Sequence, residues 1–296
     1  MTTLEVRWVR LPLRVPLAGR SARDALLVEG PAGWGEFSPF PGYPCDPVLA
    51  WQSMRSAASD RWPVPVRSTV PVNGLVPAVG PEVAARLAGD AAATGVTTVK
   101  VKVGDGPLRA DLDRVAAVRD ALGPAGRIRL DANGAWSLDE AEAAIAKLAA
   151  FDLELVEQPV AGLDDLARLR RRVPVPVAAD ECVRTPEDAR RLAVLGAADA
   201  VVLKVQPLGG VWPALRMAEV AEVPVIVSSL YETSVGLAAG LALAACLPEL
   251  PYACGLGTAA LLAGDVVADP LVPDNGRLTV RRPVPDPALL ARYEVP

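Results

Sequence analysis

The chain contains no histidine. Its acid–base, nucleophilic or metal chemistry must therefore run without imidazole, which excludes Ser-His-Asp triads, Cys-His pairs and His-ligated metals. Carboxylates, lysines, cysteines and tyrosines remain. Three acids and three lysines sit toward the ends of short apolar runs: "TTVKVKV" holds Lys100 and Lys102, "RIRLDAN" carries Asp131, "LELVEQP" Glu157, "VPVAADE" Asp180 and "DAVVLKV" Lys204. One charge at the end of a strand is ordinary, as a solvated terminus or a local ion pair. Three acids ending consecutive runs, with lysines before and after them, point instead to a shared site.

Three carboxylates brought together are tolerable only around a cation, and oxygen ligands without His or Cys favour Mg²⁺, with Mn²⁺ as a substitute. Val99, Val101 and Val103 share one strand face, so Lys100 and Lys102 project together from the other. A second ammonium and a metal nearby disfavour the charged form of a lysine, and its pKa falls toward neutrality. A base beside a metal-held carboxylate is suited to removing the proton α to it, while positive charge steadies the enediolate that forms.

These residues need a scaffold that places strand ends together. The polar residues closing the runs, Asn73, Lys102, Asp131, Glu157, Asp180, Lys204 and Ser228, recur at intervals of 23 to 29 residues, the period of a βα unit. Between them lie helical patterns: "SLDEAEAAIAKLAAF" has a capping box at Ser137 and Glu140, and "TPEDARRLAVLG" has Thr185 as N-cap, Pro186 at the first turn and Gly196 as stop. About eight such units predict an α/β fold, a (β/α)7β-type TIM barrel, whose chemistry sits at the C-terminal strand ends. No GxGxxG follows a first strand, which removes the main support for a dinucleotide-binding sheet. Residues 1–66 read as antiparallel strands, a Pro-rich loop and a helix near "PVLAWQSMRSAASD". The tail also lacks the βα rhythm, so the expected organisation is an α+β capping domain, 1–66 with 262–296 packing back on it, over a barrel at 67–261.

A net charge of -5 gives no electrostatic reason to bind nucleic acid or an anionic membrane. The N-terminal stretch lacks the apolar core of a signal peptide, and four scattered cysteines without a CxxC pair look like reduced thiols, so a cytoplasmic enzyme is expected. The expected partner is a small carboxylate substrate, with the chain a monomer or a homo-oligomer.

"VKVKVG", "LDANGAW", "VEQP", "AADE" and "LKVQPLGG" resemble the barrel motifs of the enolase superfamily, in the subgroup of muconate-lactonizing enzyme, and "GWGEFSPFPGY" resembles its capping domain. The resemblance implies that Asp131, Glu157 and Asp180 bind the metal, Lys102 is the base on one face and Lys204 the group on the other. It further implies that Lys100 lowers the pKa of Lys102, that Asn133 and Glu181 stand behind the ligands, and that Ser228, Ser229, Gly255, Gly257, Thr258 and Arg23 meet the substrate. Arg23 falls where the subgroup has a mobile loop. "PVNG", "SSLYETSVG" and "GLGT" are similar to the branch that dehydrates 2-succinyl-6-hydroxy-2,4-cyclohexadiene-1-carboxylate in menaquinone biosynthesis. "CGLGT" lacks the acidic pair with which dipeptide epimerases hold an ammonium. N-acylamino acid racemisation is the closest alternative, followed by another acid-sugar or cycloisomerase-like activity.

Overall fold

The computed structural model describes residues 5–295; Met1–Leu4 and Pro296, at the outer limits of the expected capping domain, lie outside the described residues. The chain begins with a long hairpin, β1 (Val6–Leu17) and β2 (Arg20–Gly30), extended by β3 (Gly33–Phe37) into an antiparallel sheet. Ala18 and Gly19 form its two-residue turn with φ of 47° and 74°, the left-handed pair that matches the twist of the strands. Alternation along β1 buries Val9 and Leu11 and leaves Trp8 exposed. Helix α1 (Pro47–Ser59) follows, with the Asp46 side chain accepting from the Val48 N–H at its start.

The parallel sheet then runs through β5 (Gly74–Val76), α2 (Pro81–Ala93), β6 (Thr98–Lys102), α3 (Leu108–Leu122), β7 (Arg127–Asp131), α4 (Leu138–Leu148) and β8 (Leu153–Glu157). It continues through α5 (Leu163–Arg170), β9 (Val177–Ala179), α6 (Pro186–Leu195), β10 (Ala200–Lys204), α7 (Val211–Ala221), β11 (Val225–Ser228) and α8 (Ser234–Cys246). The strands β5 to β11 lie side by side in sequence order. The capping box at Ser137, the N-cap at Thr185 and the left-handed stop at Gly196 form where the sequence places them, and Asp188 completes a second box with Thr185.

Two of the eight expected units, the first run, closed by Asn73, and the last, depart from a regular parallel strand. "TVPVNG" divides: β4 (Thr69–Pro71) pairs antiparallel with β12 (Arg277–Thr279) of the tail, and only β5 joins the parallel sheet. Pro71 has no N–H to continue a ladder, so one run serves two sheets. "PYACGLG" forms single parallel bridges, Cys254 with Val72 and Gly255 with Ser228, and these span the gap between β11 and the first strand. Proline and glycines keep this eighth position too short for a regular strand. After β12, α9 (Pro287–Tyr293) packs against β1.

Outward residues of the strands, Val99, Val101, Val201 and Leu203 among them, join the helices in the main core. Inward residues Leu155, Ala178, Ala200, Val202 and Ile226 form a separate plug inside the sheet. No helix of the described residues is long and apolar enough to cross a membrane.

Candidate active site

The alternation that buries Val99 and Val101 against the helices turns Lys100 and Lys102 into the barrel. Parallel register places Lys102 opposite Asp131, and Asp131 opposite Glu157, so neighbouring strands deliver these groups side by side at their C-terminal ends. Asp180 follows β9 directly, and Lys204 ends β10. All three acids are buried. Lys100 Nζ bridges Asp131 and Glu157 at 2.8 and 2.6 Å. Lys102 Nζ donates to Asp131 Oδ2 at 2.7 Å and to Asn133 Oδ1 at 2.5 Å, and Lys204 pairs with Asp180.

Burial alone would push the Asp131 carboxyl up, but Lys100 and Lys102 outweigh it and hold the group below the usual carboxylate range. Burial and the Asp131 charge push Glu157 up to about 8. Lys102 departs from expectation. Burial, the largest single influence, and the Lys100 charge do lower its pKa, yet the negative charges facing it, Asp131 first with Tyr231 and Glu157, together outweigh them and leave it raised. Proximity of two lysines is thus insufficient to make a neutral amine while Asp131 accepts a hydrogen bond from Lys102.

Supporting residues fix these positions. Gln158, fully buried with φ of 39°, accepts the Asp180 N–H at 2.7 Å on Oε1 while its Nε2 donates to the Val160 carbonyl at 2.6 Å. Asn133 takes Lys102 on its oxygen and donates from Nδ2 to Glu181 at 2.6 Å. Glu181 Oε2 is buried without a hydrogen-bond partner.

Above the strand ends lies a cavity of about 710 Å³. Lys100, Lys102, Lys204, Asp131, Asn133, Glu181, Ser228, Ser229, Gly255 and Thr258 reach its wall, while Glu157 and Asp180 lie beneath it. Its roof is the hairpin tip Pro16–Gly19 and the loop Phe40–Pro44. Tyr43, not singled out in the sequence, reaches down from that loop: its hydroxyl donates to Asp180 Oδ1 at 2.7 Å and its ring centroid lies 4.1 Å from Lys204 Nζ. Gln206, two residues beyond Lys204, holds the same loop by accepting the Ser38 N–H at 2.8 Å and donating to Ser38 Oγ and Glu232. No local pattern marks Tyr43 or Gln206, because the contacts that tie cap to barrel, Tyr43 to Asp180 and Gln206 to Ser38, join residues more than a hundred positions apart.

Two expected substrate residues sit elsewhere. Arg23 belongs to β2 rather than a mobile loop and is buried, donating to the carbonyls of Ser38, Leu230 and Tyr231, so its guanidinium joins the roof to the barrel. Gly257 is off the cavity wall; a Cβ there would lie 2.8 Å from the Asn73 carbonyl oxygen. Tyr231 lines the cavity, whereas Glu232 turns inward, accepting from Leu230 N and Gln206.

The carboxylates are gripped by ammonium groups, and among the described residues no three His, Cys, Asp or Glu side chains are gathered as a metal cage. The donor chemistry nevertheless fits a hard divalent cation: oxygen only, from adjacent strand ends, with the unpartnered Glu181 Oε2 close behind. The lysines are then stand-ins for a cation, balancing acids that burial would otherwise neutralise.

The profile described as "Enolase C-terminal domain-like" matches residues 82–286, and "Enolase N-terminal domain-like" matches 8–59. An o-succinylbenzoate synthase of Thermobifida fusca (strain YX) is 57% identical over 96% of this chain and 90% of its own. One from Mycobacterium marinum is 48% identical over 95% and 86%. The chain belongs to the o-succinylbenzoate synthases of the enolase superfamily. It is an enzyme, and membership carries a requirement for a divalent metal. The fold agrees: a muconate lactonizing enzyme from Pseudomonas fluorescens superposes with a TM-score of 0.87 at 22% identity, over 99% of this chain and 98% of that one. A 2-chloromuconate cycloisomerase from Rhodococcus opacus 1CP has the same TM-score at 24% identity, over 100% and 99%. Both are barrel enzymes with an N-terminal cap, the architecture of this chain.

Proposed function

We propose that the enzyme removes water from 2-succinyl-6-hydroxy-2,4-cyclohexadiene-1-carboxylate to give 2-succinylbenzoate, a step of menaquinone biosynthesis, with Lys102 as the base. The observation that carries the reading is Lys102 and Lys204 both reaching the cavity wall beside three buried carboxylates, in a chain 57% identical to an o-succinylbenzoate synthase. Asp131, Glu157 and Asp180 would hold Mg²⁺, which supplies positive charge to the substrate carboxylate as electron density moves onto it. With Asp131 turned to the metal, its hold on the protonated form of Lys102 would be loosened.

Lys102 Nζ takes the hydrogen from C1, the carbon bearing the carboxylate. The electrons of that bond pass into the carboxylate as an enediolate and return to form the C1–C6 double bond as the C6–O bond breaks. The hydroxide leaves as water with the proton carried by Lys102, so one residue acts on one face as base and then as acid. Lys204 stays protonated and opposes the charge on the carboxylate oxygens. Lys100 keeps Asp131 and Glu157 apart and adds positive charge beside Lys102. Asn133 and Glu181 orient Lys102 and the ligands, and Ser228, Ser229, Gly255 and Thr258 form the substrate's surroundings. In this reading residues 1–66 with 262–296 act as the cap over a barrel at 67–261. The four free thiols suit a cytoplasmic setting.

The placement of both lysines on the cavity wall also favours a second reading, racemisation of N-acylamino acids by two-base proton transfer. Purified enzyme assayed with Mg²⁺ on both substrates decides between them. Failure to dehydrate the cyclohexadiene substrate would overturn the first.

A further inference from the structure

Arg129 is the largest fully buried side chain of the described residues and belongs to no part of the chemistry above. It projects from β7 into the barrel one layer below Asp131. Its Nε pairs with Glu154, its Nη1 donates to the Ala253 carbonyl at 2.7 Å, its guanidinium carbon lies 5.4 Å from the Tyr252 ring centroid, and Nη2 has no hydrogen-bond partner. A buried guanidinium with an unsatisfied donor is costly, and a plug of aliphatic residues would fill the same space without that cost. Nη1 makes one further contact, to Asn73 Oδ1 at 3.5 Å.

Asn73 lies between β4 and β5, is 4% exposed, and lines the cavity beside Lys100. Arginine can only donate, so it must meet the oxygen of the Asn73 carboxamide and turns the nitrogen the other way. Asn73 Nδ2 gives one hydrogen to the Gly74 carbonyl at 3.0 Å, and its second meets no acceptor among the described residues. We propose that Asn73 is a substrate-binding donor, its free N–H held toward the cavity by Arg129 to meet a carboxylate or carbonyl oxygen of the bound acid. Arg129 is then a positioning residue, reading the correct face of an amide that would otherwise have two nearly equivalent orientations. This assignment rests on the reaction proposed above.

Asn73→Asp tests it. The carboxylate still accepts from Arg129, but both amide hydrogens are lost: the bond to the Gly74 carbonyl goes, and an acceptor faces the ligand. Product binding, measured by calorimetry with 2-succinylbenzoate in Mg²⁺, should weaken about ten- to hundred-fold, the worth of one hydrogen bond to a charged group. KM should rise by a similar factor and kcat should change less, while the melting temperature falls by no more than the loss of the bond to the Gly74 carbonyl brings. Asn73→Ser, which removes the amide without adding charge, should weaken binding in the same direction and serves if the aspartate variant does not fold. A purely structural Asn73 predicts wild-type binding in Asn73→Asp, and wild-type binding in either folded variant overturns the assignment. A wild type that neither binds the product nor turns over defeats the reaction reading and the Asn73 role with it. A wild type that does both, with variants that match it, defeats only the latter.

Discussion

Replacing Lys204 by arginine separates the two uses of that side chain. In one-base dehydration Lys204 contributes charge and never gives up its proton; in racemisation it must do so. Arginine keeps the charge permanently. A unit charge about 4 Å from a developing anion, at an effective dielectric of about 20, contributes roughly 4 kcal/mol, or on the order of 10³ in rate. Lys204→Ala should therefore lose about that factor in dehydration. Lys204 is 6% exposed and wedged between Asp180 and the Tyr43 ring, so the longer guanidinium displaces its charge and presses on Tyr43. We expect Lys204→Arg to retain dehydration within about 10² of wild type, recovering part of the alanine loss. Racemisation should fall by about 10⁴ or more, the upper range for loss of a general acid–base group. Dehydration is followed by absorbance as the ring becomes aromatic, and racemisation by chiral chromatography of an N-succinylamino acid. Deuterium exchange at the α-carbon of one enantiomer should persist if Lys102 still abstracts from its own face. If Lys204→Arg loses both activities equally while still binding Mg²⁺ and product, proton transfer at Lys204 is obligatory and the one-base account is wrong.

Lys102→Ala should lower turnover by about 10⁴ or more, since base and acid roles disappear together, with little change in product affinity; residual activity within tenfold of wild type would remove it as the base. Chelation should abolish activity and Mg²⁺ restore it, and Asp180→Asn should weaken metal binding in a titration; full activity in excess chelator would sink the ligand assignment. Glu36 gives a pH test of stability. It accepts from Ser38 Oγ, Thr233 Oγ1 and the N–H groups of Thr233 and Gly236, yet burial, the leading cause, raises its pKa from 4.5 to about 7. An acid whose folded pKa is raised stabilises the fold below its unfolded pKa, and that contribution is lost as pH rises to the folded value. The unfolding free energy of wild type minus that of Glu36→Gln should thus fall by about 3 kcal/mol between pH 4.5 and pH 7. A pH-independent difference would show that Glu36 is already ionised throughout.

Much of the barrel is written locally. Helix caps such as Ser137 and Thr185 act on backbone within four residues, and alternation along "TVKVK" needs only the pleat to send valines one way and lysines the other. The order of acids and lysines at strand ends followed from the βα period, because parallel strands of similar length bring like positions to one rim. The divided run at Pro71 and the single-bridge eighth position were hidden, since each depends on partners supplied by the tail and by the far end of the sheet.

What the sequence determined by itself was therefore the kind of chemistry and the rim on which it sits: no imidazole, three acids, lysines on both sides. Tertiary structure decided what each charge experiences. Whether Lys102 is acid or base depends on Asp131, which burial and a neighbouring strand place 2.7 Å from it. Arg23 looked like a loop contact for substrate, yet it spends its donors on backbone carbonyls, those of Leu230 and Tyr231 more than two hundred residues away. Tyr43 and Gln206 became part of the site only when the cap closed over the barrel. Side-chain identity and strand period act over a few residues. Electrostatic environment and hydrogen-bond pairing are set by distance in space, which is known only once the chain has folded.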